Sequence, residues 1–240
     1  SYGSDAINPH TQYSNPLAFL KTQNQIALGS SFTLGEGNQM VCEAANYSVK
    51  QLDGVTLFEL LNSNCGFHDT MTNPLQLRWI SPNAGLSMLA GGLIVNTLLD
   101  HMAKQCEMPA WEFLSKMPTD LLLSFFPKRH LPPKYNMRLF QEILDKGLNG
   151  IEDRCQYLKS CGLPVYFTTW IGHTAEAISD QITSQYRENG IKAFKMKISP
   201  NFSDDFEKIN KVKNAIPEDI ELSVDANQTL SLDQAKTWMA

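Results

Sequence analysis

Two lysines one residue apart, Lys195 and Lys197 in the run FKMKI, and Asp225 and Asn227 in the run VDANQ are the residues whose types and spacing could do chemistry. A lysine whose ammonium is destabilised by burial and by a second positive charge can accept a proton near neutral pH. A proton suited to such a base lies on a carbon next to a carboxylate. Its removal makes an enediolate, whose charge a divalent cation can hold. Asp225 offers the hard oxygen that magnesium prefers. Taken alone, FKMKI reads as a half-exposed strand with its lysines in water, so the surrounding elements have to decide.

Strand side chains alternate between faces, so Phe194, Met196 and Ile198 share one face while Ala193, Lys195 and Lys197 share the other. The next apolar run repeats the arrangement, with Ile220, Leu222, Val224 and Ala226 opposed to Ser223, Asp225 and Asn227. Helices are expected around them. One runs over 174–188, carries Ile178, Ile182 and Tyr186 and stops at Asn189-Gly190; a second runs over 202–215, capped by Ser203 and carrying Phe206, Ile209, Val212 and Ile216. A third opens at Ser231 with a capping box to Gln234. With LPVYFTTWIG as a further strand, strand and helix alternate three times, the pattern of a parallel sheet covered by helices. In a βα barrel one strand face packs under the helices and the other points inward, and active sites form at the C-terminal strand ends. Lys195, Lys197, Asp225 and Asn227 then converge in one low-dielectric space. Charges there are costly unless paired or bound to metal, which favours the functional reading.

The first half reads differently. LAFLKT and IALGSSFTL are expected as strands joined by a Gln-Asn-Gln turn, with helices from Gly37 onward. The firmest helix is expected to start at Ser81-Pro82, as N-cap and first helical residue, and to carry Met88, Leu89, Val95, Leu98, Leu99 and Met102. A short helix, AWEFL, follows Pro109. Prolines 118, 127, 132 and 133 interrupt a strand-like apolar run and mark a domain boundary, giving domains 1–125 and 126–240, and a helix over 137–160 is weakened by Gly147 and Gly150.

The bulk properties exclude several classes. With 42% hydrophobic and 19% charged residues, a net charge of −5 and no basic stripe, the 240 residues give no reason to expect nucleic acid or an anionic membrane as partner. The apolar run from Leu86 to Leu99 is too short to span a bilayer and reads as a buried helix. Five scattered cysteines without metal-type spacing are expected reduced and mostly buried, in a reducing compartment.

Lys195-Met196-Lys197 followed by Val224-Asp225-Ala226-Asn227-Gln228 resembles the mandelate racemase group of the enolase superfamily, which uses a lysine or histidine base with magnesium. GSDAINPHTQYS, FTLGEGNQMV, LQLRWISP and MPAWEFL, in that order, resemble its L-fuconate dehydratases, so the likeness runs over nearly all of the chain. It implies an α+β capping domain followed by the first part of a (β/α)-barrel, with about three βα units present. It further implies a magnesium-dependent sugar-acid dehydratase, converting L-fuconate to 2-keto-3-deoxy-L-fuconate. In that role Lys197 takes the C2 proton. Lys195 holds the substrate carboxylate and lowers the pKa of Lys197, Asp225 binds Mg2+, and Asn227 touches the substrate. Gly3, Ser4, Asp5 and Tyr13 form a loop that closes over the barrel mouth and reads the sugar hydroxyls; without the resemblance that stretch is only a polar loop. The partner implied is a small sugar acid, a homo-oligomer is compatible with it, and the location expected is intracellular, mitochondrial or cytoplasmic.

Some features depart from the family pattern. TQNQIALGSS lacks the usual Asp-Gly turn, Leu99-Asp100-His101-Met102 replaces a more aromatic segment, and His173 stands where relatives tend to have tyrosine. His173 is expected structural or exposed. The family's barrel has eight strands, with further metal carboxylates and a His-Asp acid pair on later ones, whereas this chain ends after the third. The expectation is a fragment of an enzyme, inactive alone; the alternatives are a non-catalytic binding or regulatory protein, or another racemase or cycloisomerase of the group.

Overall fold

The computed structural model describes residues 2–3, 11–12, 14–33, 35–63, 70–71, 79–80, 84–125, 137–169, 172–199 and 201–239. The chain divides into two compact units, residues 14–162 and residues 1–13 with 163–240.

In the first unit β3 (Leu17–Lys21) and β4 (Ile26–Ser30) form an antiparallel hairpin with Phe19 opposite Leu28. The turn is closed by Thr22 N–H donating to the Gln25 carbonyl (2.9 Å). Helices α1 (Asn38–Lys50), α2 (Leu57–Leu61) and α3 (Leu86–Gln105) supply the core, where Val41, Ala44, Leu60, Ala90, Leu93 and Ile94 are buried together. Gly29 lets α3 approach β4: a Cβ there would fall on Thr97 Oγ1 and the Leu93 carbonyl, and 2.6 Å from the Thr97 nitrogen. Helix α3 starts at Leu86 behind Gly85, not at Pro82, and residues 81–83 lie outside the described set. By length and composition its 20 residues would suffice to cross a membrane, unlike the shorter run read from the sequence. In this fold Ser87, Ala90, Gly91, Thr97 and Ala103 are buried beside Leu93 and Ile94, and of the larger residues expected Leu89, Val95 and Leu98 pack against the same core half-buried.

The remaining helices of this unit are α4 (Ala110–Lys116), α5 (Thr119–Ser124), α6 (Met137–Leu148) and α7 (Ile151–Cys161). The apolar run after Pro118 is a helix, not strand-like, because Pro118 occupies the N-cap and Thr119 and Leu123 turn inward four residues apart. The single helix expected over 137–160 is two, broken where Gly150 adopts φ 68°. Glu112 on α4 accepts from Lys159 on α7 (2.8 Å), and Thr119 on α5 donates to Asp145 on α6 (2.6 Å). These ties place residues 137–161 with the first unit, although the prolines had suggested a break at 125/126.

In the second unit β1 (Tyr2–Gly3) pairs antiparallel with β2 (Thr11–Gln12). Strands β5 (Tyr166–Thr169), β6 (Ala193–Lys197) and β7 (Glu221–Asp225) form a parallel sheet in chain order. Helices α8 (Ala175–Asn189), α9 (Phe202–Ala215) and α10 (Leu232–Met239) follow the three strands. Phe194 and Met196 pack against Ile178, Ile182, Val212 and Ile216, so one face of the sheet lies under α8 and α9. Thr174 caps α8, Gly190 ends it at φ 66°, and Ser231 and Gln234 form the capping box of α10. Asn201, not Ser203, occupies the N-cap of α9, and Phe206 is exposed, stacked on Phe202. The two units are an α+β unit and a partial βα barrel.

Candidate active site

Strand β6 presents Lys195 and Lys197 on the face away from α8 and α9, and the parallel register sets Lys195 beside Ser223 and Lys197 beside Asp225. The register is locked at its end by Ile198 N–H donating to the Asp225 carbonyl (3.0 Å). Asp225 is the hub of the site. Its Oδ2 accepts from Lys197 Nζ at 2.7 Å and lies 3.1 Å from Lys195 Nζ, and its Oδ1 accepts the Asn227 N–H at 2.9 Å. Lys197 also donates to Asn227 Oδ1 at 2.9 Å. Asn227 reaches both groups because it adopts the left-handed backbone, φ 48°, which asparagine tolerates better than most residues.

The lysine side chains are 9% exposed at Lys197 and 21% at Lys195, and Asp225 is 29% exposed. The Lys197 ammonium, helped by the Asn227 N–H and Lys195 and opposed by burial, holds the Asp225 carboxyl down at about 2. Burial pulls Lys195 down, but hydrogen bonds to Asp225 and Tyr166 outweigh it and raise its pKa above the usual lysine value. The convergence read from the sequence thus places Asp225 between the two ammoniums.

Tyr166 was not anticipated. From β5 its hydroxyl lies 3.3 Å from Lys195 Nζ, and the ammonium stands 4.9 Å from the ring centroid, a cation–π distance. The signal available was its parity: Tyr166 and Thr168 share the face of Ala193 and Lys195. Gly3 lies in β1 opposite Thr11, while Ser4, Asp5 and Tyr13 lie outside the described residues. His173 is exposed, and Asp100 lies on α3, where it accepts from Leu28 N–H of the hairpin. Cys155 is buried as expected, but Cys106 and Cys161 are exposed.

Asp225 is the one carboxylate of this cluster, and among the described residues no three His, Cys, Asp or Glu gather to hold a metal. Magnesium takes six oxygens in octahedral array. A lone carboxylate whose Oδ2 already serves two ammoniums does not supply that, so the described residues by themselves do not fit the ion.

Residues 177–240 match the family model described as enolase C-terminal domain-like. Over 99% of its length the chain superposes on the crystal structure of human mitochondrial enolase superfamily member 1 with a TM-score of 0.85 and 29% identity, covering 55% of that chain. The fold is that of the enolase superfamily. Against the curated human sequence the identity is 29% over 244 residues, all of this chain and 55% of the relative. L-galactonate dehydratase of Hypocrea jecorina is 28% identical over 246 residues, 99% of this chain and 54% of the relative. The L-talarate/galactarate dehydratase of Salmonella typhimurium LT2, whose structure carries Mg and L-lyxarohydroxamate, shares the enolase fold at TM-score 0.64 with 18% identity, over 99% of this chain and 51% of that one. The chain spans about 55% of the length of the curated relatives it matches.

Proposed function

We propose that this chain carries the proton-abstracting part of a sugar-acid dehydratase site, with L-fuconate as the expected substrate. The observation that carries the reading is the convergence of Lys195, Lys197 and Asp225 on the strand face away from the helices, joined there by Asn227 from the turn after β7. The Lys195 ammonium, kept charged, would bind the substrate carboxylate. Lys197 would take the proton from C2, leaving the C–H electron pair in the enediolate. Loss of the C3 hydroxyl as water, with a proton from an acid not among the described residues, then gives an enol that becomes the 2-keto-3-deoxy acid. In the resting arrangement Lys197 donates to Asp225 and Asn227. It becomes a base only when the charge of Asp225 is turned elsewhere. Asp225 would be one carboxylate ligand of a magnesium ion whose other ligands lie outside the described residues. The loop of Gly3, Ser4, Asp5 and Tyr13 would read the hydroxyls, and a mitochondrial or cytoplasmic location fits the reading.

The test is a panel of six-carbon sugar acids, L-fuconate and L-galactonate included, incubated in D2O with magnesium. From the protein that includes the remaining ligands we expect a 2-keto-3-deoxy product with deuterium at C3, and where the acid is missing C2 deuterium in recovered substrate without dehydration. Inversion at C2 with the hydroxyl retained identifies a racemase instead. Binding without exchange identifies a non-catalytic carboxylate-binding protein.

A further inference from the structure

The outer edge of β4 is closed by side chains. The hairpin bonds Thr22 N–H to Gln25 carbonyl (2.9 Å) and Ser31 N–H to Pro16 carbonyl (3.2 Å) set the phase of the ladder: Ala27 and Gly29 turn toward β3, and Ile26, Leu28 and Ser30 turn away from it. One outward backbone group of each of these three residues meets a side chain of α3. Asn96 Nδ2 donates to the Ser30 carbonyl (2.8 Å), Asp100 Oδ2 accepts the Leu28 N–H (2.7 Å), and Lys104 Nζ donates to the Ile26 carbonyl (2.9 Å). Four helical residues rise about 6 Å and two strand residues about 6.7 Å. A helix running antiparallel to the strand therefore offers one side chain per outward residue, half of what a third strand would supply. Gly29 brings the helix close enough, and the Asp100–Lys104 ion pair (2.7 Å) joins two of the three.

An uncovered edge here would be hazardous. The sheet face away from α3 exposes Leu17 50%, Phe19 66%, Ile26 55% and Leu28 45%. Open edge groups beside such a face template pairing with another chain. We propose that Asn96, Asp100 and Lys104 act as a strand substitute that prevents β4 from pairing with β4 of a second copy of this chain.

The experiment compares amide hydrogen exchange at Leu28 and Ala27, and mass in solution, over a concentration series. In the parent, Leu28 is protected at every concentration. In the triple variant Asn96→Ala, Asp100→Ala, Lys104→Ala, Leu28 loses protection in dilute solution and regains it as the protein dimerises, while Ala27, bonded to β3, stays protected throughout. A triple variant that remains monomeric, or that associates with Leu28 still exchanging freely, overturns the proposal. If the triple variant loses protection at Ala27, Asp100→Ala alone carries the same two readings. Loss of Ala27 protection in both variants also overturns it, because the side chains would then be needed to form the strand rather than to close it.

Discussion

Asp225 decides what each lysine can do, because one oxygen serves both ammoniums. Lys197→Met keeps the length of the side chain and removes the amine. Asp225 then retains Lys195 and the Asn227 N–H, so no carboxylate is orphaned and the stability loss should be about 1 kcal/mol. Exchange of the substrate C2 proton with solvent deuterium should disappear. A Lys197→Met protein that still exchanges C2 near the parental rate removes Lys197 from the base role. Lys195, Lys197 and Asp225 were legible in the sequence, since period-two alternation places them on one face without knowledge of the neighbours; Asn227 reaches the same place from the turn after β7, through its left-handed backbone. The carboxylate between the lysines was not legible. That contact depends on register, Lys197 beside Asp225, and no local pattern specifies the stagger of parallel strands joined through a helix. Tyr166 escaped for the same reason: its hydroxyl reaches Lys195 across one strand and along another.

Between elements, close approach and charge pairing carry the packing. Gly29→Ala should destabilise the first unit by about 1–3 kcal/mol, since the new methyl meets backbone atoms of α3 that cannot move alone. Gly92→Ala, on the same helix with open space at its Cβ, is the control and should be neutral or stabilising by up to about 1 kcal/mol. Denaturant midpoints of the two variants check both signs. Glu112 is held below the usual glutamate range by Lys159 and then Lys116. A depressed carboxylate contributes stability that is present above its unfolded pKa of about 4.3 and is lost as pH falls through the folded value. Urea midpoints followed down from pH 6 should therefore fall less steeply in Glu112→Gln than in the parent. Element existence was legible wherever periodicity was strong, as in α8 with Ile178 and Ile182, or the β6 face of Phe194 and Met196. Ends were not: Asn201 displaced Ser203 as cap, and Gly150 split one expected helix into two. Both are decided by single backbone angles on which hydrophobic spacing is silent.

At the scale of the molecule each compact unit has its own core, one around Leu93 and Ile94 and one around Ile182 and Phe194. Residues 14–162 produced alone should therefore unfold cooperatively and keep the Leu28 amide protected, as calorimetry and amide exchange would register; a broad transition would mean that this core depends on the rest of the chain. The parallel βα sheet was legible at this scale from the alternation of strand and helix, and the enolase likeness from the resemblance of the motifs around Lys195, Lys197 and Asp225. The extent of the first unit was not, because ion pairs and hydrogen bonds between helices, not prolines, draw α6 and α7 into it. The strand order β5-β6-β7 is also an order of synthesis. β6 and β7 each leave the ribosome with a partner already made, so the sheet extends one edge at a time. Lys197 is translated 28 residues before the aspartate that neutralises it, an interval of about 1–6 s. Until β7 arrives neither lysine can have Asp225 as its partner, so that strand both extends the sheet and supplies the carboxylate.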